Sequence, residues 1–180
     1  CVDAENDTVL EGNHGAGTGA SVGKLLGFEQ AMKSGIGTCG IQVGDLQVAA
    51  IVAVNACGNV VDYETNELLA GVYDANSNTM LKAEDVLFQQ MDAMRKLPEG
   101  NTTIGCIVTN AKLDKAQCTK IAGIAHNGYA RAIHPVHTMS DGDSIFVLSS
   151  GEVEVMADAV GMLATEMMAK AIKRAVLHAQ

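Results

Sequence analysis

The sequence predicts a layered α/β sandwich, and three features carry that prediction. Residues 46–55 (LQVAAIVAVN) form a near-continuous apolar run with Val and Ile, too short for a buried helix and not alternating. It reads as a strand covered on both faces. Residues 104–108 (IGCIV) repeat the pattern, and an Ala-, Met- and Leu-rich stretch over about 152–179 reads as one long helix. Buried strands interleaved with long helices imply layers of sheet and helix around one core.

Ten of the nineteen glycines fall between positions 12 and 44. Gly15-Ala16-Gly17-Thr18-Gly19 must be a backbone-dominated loop, because glycine permits positive φ and close approach. Residues 36–43 read as the hairpin partner of 46–55, with Gly44-Asp45 as the turn. Residues 62–78 are polar and turn-rich, a surface excursion. Residues 83–96 carry Val86, Leu87, Met91 and Met94 at helical spacing, and Pro98 follows. Glu99-Gly100-Asn101 is a break before the 104–108 strand. Asp114 with Gln117 fits a capping box opening a helix through Arg131. Residues 145–148 form a short strand, and Met156, Met162, Met167 and Met168 of the last helix read as core filling.

The chain has 180 residues, the size of one domain, with no internal repeat, low-complexity tract or linker. Its longest unbroken apolar run, 48–54, is seven residues, whereas a spanning helix needs about twenty, so no membrane partner is expected. A net charge of −9 and only six Phe and Tyr residues argue against nucleic acid. Five cysteines, at 1, 39, 57, 106 and 118, show no metal-type pairing and read as buried free thiols of a reducing, cytoplasmic compartment.

Several motifs fail on their chemistry. A phosphate loop needs Gly, four residues and then Gly-Lys-Ser/Thr. Here Thr18 stands at the first position, and Leu25 follows Lys24. Gly15-x-Gly17-x-x-Ala20 approximates a dinucleotide fingerprint, but no strand precedes it, so it reads as a structural turn or a backbone wall beside an active site. His134 and His137 cannot form a helical pair, because Pro135 disfavours helix at residue 134, and no third ligand stands at zinc spacing. A His137/Ser140/Asp141 triad would crowd three groups onto one loop. No metal and no cofactor are expected.

The break before the second buried strand is more specific. Two hydroxyl residues, Thr102 and Thr103, sit where a flexible turn enters a core strand. Cutting the Asn101–Thr102 bond would give Thr102 a free α-amine, with a reference pKa of about 7.7–8.0, beside its own hydroxyl. Threonine with its N-terminal amine is an established nucleophile–base pairing. The bland alternatives are a threonine at a strand start and a glycosylation-type Asn101-Thr102-Thr103 sequon.

GNHGAGTGASVGKLLGFEQAMKSGIGT (12–38), VAAIVAVNACG (48–58), NTTIGCIVTNAKLDKAQ (101–117) and HNGYARAIHPVHTMSDGDSIFVLSSGE (126–152) together resemble the DmpA-type self-processing aminopeptidases. This group comprises the L-aminopeptidase/D-esterases and β-peptidyl aminopeptidases. The resemblance covers nearly the whole chain, in order. It implies a four-layer αββα sandwich of the DmpA/ornithine-acetyltransferase type. It also implies autocleavage of a precursor and a homotetramer acting on the N-terminal residue of small peptides, amides or esters. It places the nucleophile on Thr102, where many members have Ser, and an oxyanion-stabilising amide on Asn55. The family sets a Ser and an acidic residue two apart to hold the new amine. Here the segment is Ser140-Asp141-Gly142-Asp143-Ser144, so Asp143 is the preferred partner and Asp141 the alternative. A carboxylate there raises the amine's pKa and so orients more than it activates. The chain is expected to be the C-terminal portion of a longer family chain, a single catalytic domain cut between 101 and 102, whose catalytic Tyr lies upstream. Two rivals are an inactive binding scaffold and an acyltransferase on the same architecture.

Overall fold

A computed structural model describes residues 9–91 and 100–180. In chain order the elements are β1 (Ser21–Val22), β2 (Met32–Lys33), β3 (Ile36–Val43), β4 (Leu46–Ala53), β5 (Asn59–Val61), β6 (Leu68–Ala70), β7 (Val72–Asp74) and β8 (Thr79–Leu81). Then follow α1 (Ala83–Gln90), β9 (Ile104–Ala111), α2 (Lys115–Ala132), β10 (Ile133–His134), β11 (Ser144–Val153) and α3 (Ala157–Leu177).

The main sheet has strand order β11-β9-β4-β3. The β3–β4 hairpin turns at Gly44, whose φ of 60° is one that glycine adopts without strain. Asn110 clamps that turn: its carbonyl accepts the Gln47 N–H at 2.8 Å, and its amide donates to the Asp45 carbonyl at 2.8 Å. β9 pairs antiparallel with β4 and parallel with β11. A parallel pair needs a long crossover, which α2 supplies. Helix α2 opens with the expected capping box: Asp114 accepts the Gln117 N–H, and the Gln117 side chain accepts the Asp114 N–H. A smaller sheet has the strand order β10-β5-β6.

Helices α2 and α3 cover one face of the main sheet. Val48, Ala50, Val52 and Ile107 from the strands pack with Tyr129, Met168 and Ile172 from the helices, all essentially inaccessible to water. On the other face the register sets Ile51 beside Cys106 and Phe146, and Val108 beside Leu148. Ile104, Val108, Phe146 and Leu148 are exposed there. Such an apolar surface is what an inner sheet of a four-layer sandwich presents to a second sheet.

Several expectations need correction. Among the described residues β4 alternates between buried and half-exposed positions, with helix α3 packed on its buried side. The 62–78 excursion contains β6 and β7, whose Ala70 and Val72 are buried. The 145–148 strand runs from Ser144 to Val153, so the last helix starts at Ala157. Met167 and Met168 fill the core, but Met156 and Met162 are exposed. Cys57 is buried and Cys106 only partly so. The 83–96 helix is seen over Ala83–Gln90, and positions 92–96 lie outside the described residues. No helix among the described residues is long and apolar enough to cross a membrane.

Glu11 ties the region before the glycine loop to the last helix. Its carboxylate accepts the Thr38 N–H at 2.8 Å, the Thr38 hydroxyl at 3.0 Å and Arg174 Nε at 2.8 Å. The Arg174 hydrogen bond, helped by Thr38 and opposed by burial, holds the carboxyl at about 2 against an ordinary 4.5. The native state therefore keeps Glu11 ionised where the unfolded chain protonates it. This contribution is complete above pH 4.5 and is lost as pH falls from there toward 2. Glu11→Gln is expected to cost about 1–2 kcal/mol at neutral pH. It should also flatten the acid limb of urea midpoint against pH in that window, whereas parallel limbs in variant and parent would contradict this account.

Candidate active site

The strand register alone gathers the site. Ala53 at the end of β4 pairs with Ile104 at the start of β9, and Ile104 pairs with Ser144 at the start of β11. Asn55, Thr102 and Asp143, each one or two residues beyond these positions, therefore meet at one edge of the sheet. The glycine loop closes the same edge. A Cβ on Gly17 would fall 2.4 Å from both the Gly12 carbonyl oxygen and the Ile36 nitrogen, so only glycine lets the loop lie against β3. Ala16, Gly19 and Ala20 of this loop line a cavity of about 630 Å³ with Ile51, Asn55 and Thr102. The loop thus forms a backbone wall of the cavity that Thr102 also lines.

Thr102 is half-buried and peptide-bonded to Asn101. Its hydroxyl donates to the Asn101 carbonyl oxygen at 2.6 Å, and the Gly142 N–H donates to the same oxygen at 2.8 Å. Two donors therefore polarise the carbonyl next to the Thr102 hydroxyl. Gly142 has to be small, since a Cβ there would lie 2.9 Å from Thr102 Oγ1. The Thr102 N–H donates to the Asn55 main-chain carbonyl at 2.8 Å.

The Asn55 side chain is held in one orientation. Its Oδ1 accepts Lys24 Nζ at 2.6 Å and the Ser21 N–H at 3.3 Å, which turns Nδ2 to donate to the Gly100 carbonyl at 3.1 Å. Sequence reasoning passed over Lys24, considering it only as part of a phosphate loop. It is fully buried. Burial pulls its pKa below that of an ordinary lysine, while the Asp141 carboxylate opposes the shift. Burial and the Asp141 charge push the Cys57 thiol up to about 11, with Lys24 acting against them. The available signal was a lysine inside the apolar stretch Val22-Gly23-Lys24-Leu25-Leu26, where a buried cation demands a partner.

Both candidate carboxylates reach this edge, with different partners. Asp143 Oδ1 accepts the Thr103 N–H at 2.9 Å, and Oδ2 pairs with His137 Nδ1 at 2.8 Å. Asp141 Oδ2 accepts the Thr138 N–H at 2.9 Å and its hydroxyl at 2.6 Å, while Oδ1 accepts the Cys57 N–H at 3.5 Å. Residue 141 also bridges residue 101 in parallel fashion. The carboxylate that meets His137 is Asp143, not Asp141, so the triad drawn on one loop does not form. Beneath the strand starts, the buried Tyr129 hydroxyl lies 3.3 Å from the Thr103 carbonyl oxygen and 3.2 Å from that of Ser144. Burial, reinforced by the Asp143 charge, keeps this phenol protonated.

Known proteins share this arrangement of the chain. An uncharacterized aminopeptidase of Mycobacterium leprae is 35% identical over an alignment of 197 positions that covers 99% of this chain and 52% of that relative. A 6-aminohexanoate-oligomer endohydrolase of Kocuria sp. is 31% identical over 182 residues, 92% of this chain and 50% of the relative. The chain thus spans about half the length of these relatives. Among solved structures, the L-aminopeptidase D-Ala-esterase/amidase of Ochrobactrum anthropi, described as a variant of the Ntn-hydrolase fold, superposes with a TM-score of 0.62 at 20% identity. That match covers 96% of this chain and 46% of the solved one. A Burkholderia sp. β-aminopeptidase gives 0.63 at 24% identity, covering 97% and 48%. The fold is accordingly the α/β sandwich of these proteins. The family model for peptidase family S58 matches residues 1–180. With matching sequence along its whole length, and that fold beneath it, the chain belongs to peptidase family S58.

Proposed function

We propose that this chain carries the nucleophile of a self-processing amide hydrolase, with Thr102 as the reacting residue. The observation that supports it best is the Asn101 carbonyl oxygen, which holds both the Thr102 hydroxyl and the Gly142 N–H. Self-cleavage starts when Thr102 Oγ adds to the Asn101 carbonyl carbon. The hydroxyl proton passes to the Thr102 nitrogen as the C–N bond breaks, which leaves the Asn101 acyl group on Oγ as an ester. Water hydrolyses that ester to a carboxylate and frees both the amine and the hydroxyl of Thr102.

In turnover the free amine takes the Oγ proton while Oγ adds to the substrate carbonyl. The Asn55 Nδ2–H group, held on Gly100 before the cut, then becomes available to the developing oxyanion. Collapse expels the substrate's amine, which takes the proton back from Thr102, and water releases the acyl group. Lys24 serves by fixing the Asn55 amide, and its positive charge favours the neutral amine that the chemistry needs. Asp143 holds the neighbouring Thr103 N–H and Asp141 the adjoining loop, so both orient the strand start rather than accept the proton.

The names of the relatives support an N-terminal residue of a short peptide, amide or ester as substrate, with an ω-amino acid oligomer as the second reading. A homotetramer belongs to the same proposal. The test is to incubate the full-length protein with aminoacyl p-nitroanilides and, separately, with 6-aminohexanoate oligomers. Release of p-nitroaniline with intact oligomers supports the aminopeptidase, and shortened oligomers alone support the endohydrolase. No hydrolysis of either set would defeat the hydrolase reading.

A further inference from the structure

We propose that His137 is a positioning residue of this site, acting through Asp143 on the strand start that carries Thr102. The inference rests on the reading of Thr102 as nucleophile, but its own evidence is a separate cluster behind the strand.

The Asp143 side chain is only 4% exposed, so water cannot hold its carboxylate in place. Its two oxygens have different partners: Oδ1 takes the Thr103 N–H at 2.9 Å, and Oδ2 meets His137 Nδ1 at 2.8 Å. With the Oδ2 donor removed, the carboxylate is free to turn about its terminal torsion, which is broad and nearly two-fold. With both donors present the torsion is locked, and residue 103 is fixed one peptide away from the reacting hydroxyl.

The imidazole is itself held. His126 on α2 packs edge-on against it, with ring centroids 4.9 Å apart, and Tyr129 lies at 5.9 Å. Asp143, His126 and Tyr129 are the titratable groups that meet His137 among the described residues. Burial, with some repulsion from His137, keeps His126 below the ordinary imidazole range, against the pull of Asp143. The Asp143 carboxylate can only accept, so it selects the tautomer of His137 that carries its hydrogen on Nδ1.

The backbone carries a second sign. His137 has a φ of 55°, a left-handed conformation uncommon outside glycine, in which asparagine, aspartate and histidine are the enriched side chains. This strain is maintained while the ring is aimed at the Asp143 carboxylate, and strained residues of this kind concentrate at functional sites.

The same backbone preference supplies the test. His137→Gly keeps the positive φ and removes the donor. His137→Asn keeps the positive φ and puts an amide N–H where Nδ1 stood. Both are made in the full-length protein, next to Thr102→Ala, and assayed for kcat and KM on an aminoacyl p-nitroanilide. We expect His137→Gly to lower kcat about 100-fold with KM nearly unchanged, and His137→Asn to recover to within about 10-fold of the parent. If His137→Gly fails to fold, His137→Ala, which also lacks a donor and puts no charge beside Asp143, takes its place. A donor-less variant with parental kcat would overturn the inference, as would an asparagine variant no better than the donor-less one. Retained hydrolysis in Thr102→Ala would instead remove the nucleophile reading itself, which these His137 comparisons do not address.

Discussion

Replacing Thr102 with alanine is expected to leave the chain in one piece and to abolish hydrolysis, a loss of more than about 1,000-fold in kcat. The variant removes the hydroxyl that donates to the Asn101 carbonyl oxygen. The side chain is small and half-buried, and the Thr102 N–H bond to Asn55 belongs to the main chain and survives, so the fold should be undisturbed. Thr102→Ser keeps the Oγ and should still be cut and still hydrolyse substrate. Intact mass reports the cut and p-nitroaniline release reports turnover. An uncut Thr102→Ala that still hydrolyses would place the nucleophile elsewhere.

Asn55→Ala is expected to lower kcat by about 100- to 1,000-fold, the usual cost of removing one oxyanion donor. The substitution leaves the main-chain bond from Thr102 in place and takes away the Nδ2–H group now held on Gly100, together with the Oδ1 that accepts the Ser21 N–H. It also strands Lys24, whose Nζ bonds Asn55 Oδ1 at 2.6 Å in a fully buried position. Lys24→Met should reproduce much of the loss while leaving Asn55 intact, because without the lysine only the longer Ser21 N–H bond at 3.3 Å still orients Oδ1. Parallel measurement of kcat and KM separates the cases. A defect confined to KM in either variant would mean that the Asn55 amide binds the ground state and does not meet the transition state.

The parts of the fold legible in the sequence are those written in short-range patterns. The hairpin partner was read at its true limits, Ile36–Val43, because a glycine-bearing turn separates two apolar runs. The α2 start was read from Asp114 and Gln117, because a capping box is a three-residue spacing. Three-residue strands such as β6 and β7 left no periodicity to read within a polar stretch. The extension of β11 through Ser149, Ser150, Gly151 and Glu152 looks like a loop, because an edge strand with one open face needs few apolar residues.

The site divides in the same way. Thr102 was visible as a hydroxyl at a break before a core strand. Asn55 and Asp143 came only from family resemblance, and Asp141 otherwise only as part of a one-loop triad, since nothing local marks an amide or a carboxylate as part of a site. Lys24 and His137 were missed as site members. Their partners Asn55 and Asp143 are set by tertiary packing, across 31 residues in one case and around a positive-φ turn in the other.

The central claim is that the Thr102 hydroxyl reacts with its own α-amine as the base, which requires Thr102 to become the first residue of a chain. Intact mass together with N-terminal sequencing of the purified full-length protein measures this directly. The account predicts a fragment whose first residue is Thr102, present in every preparation that hydrolyses substrate. A fully active protein with the Asn101–Thr102 bond unbroken would contradict it.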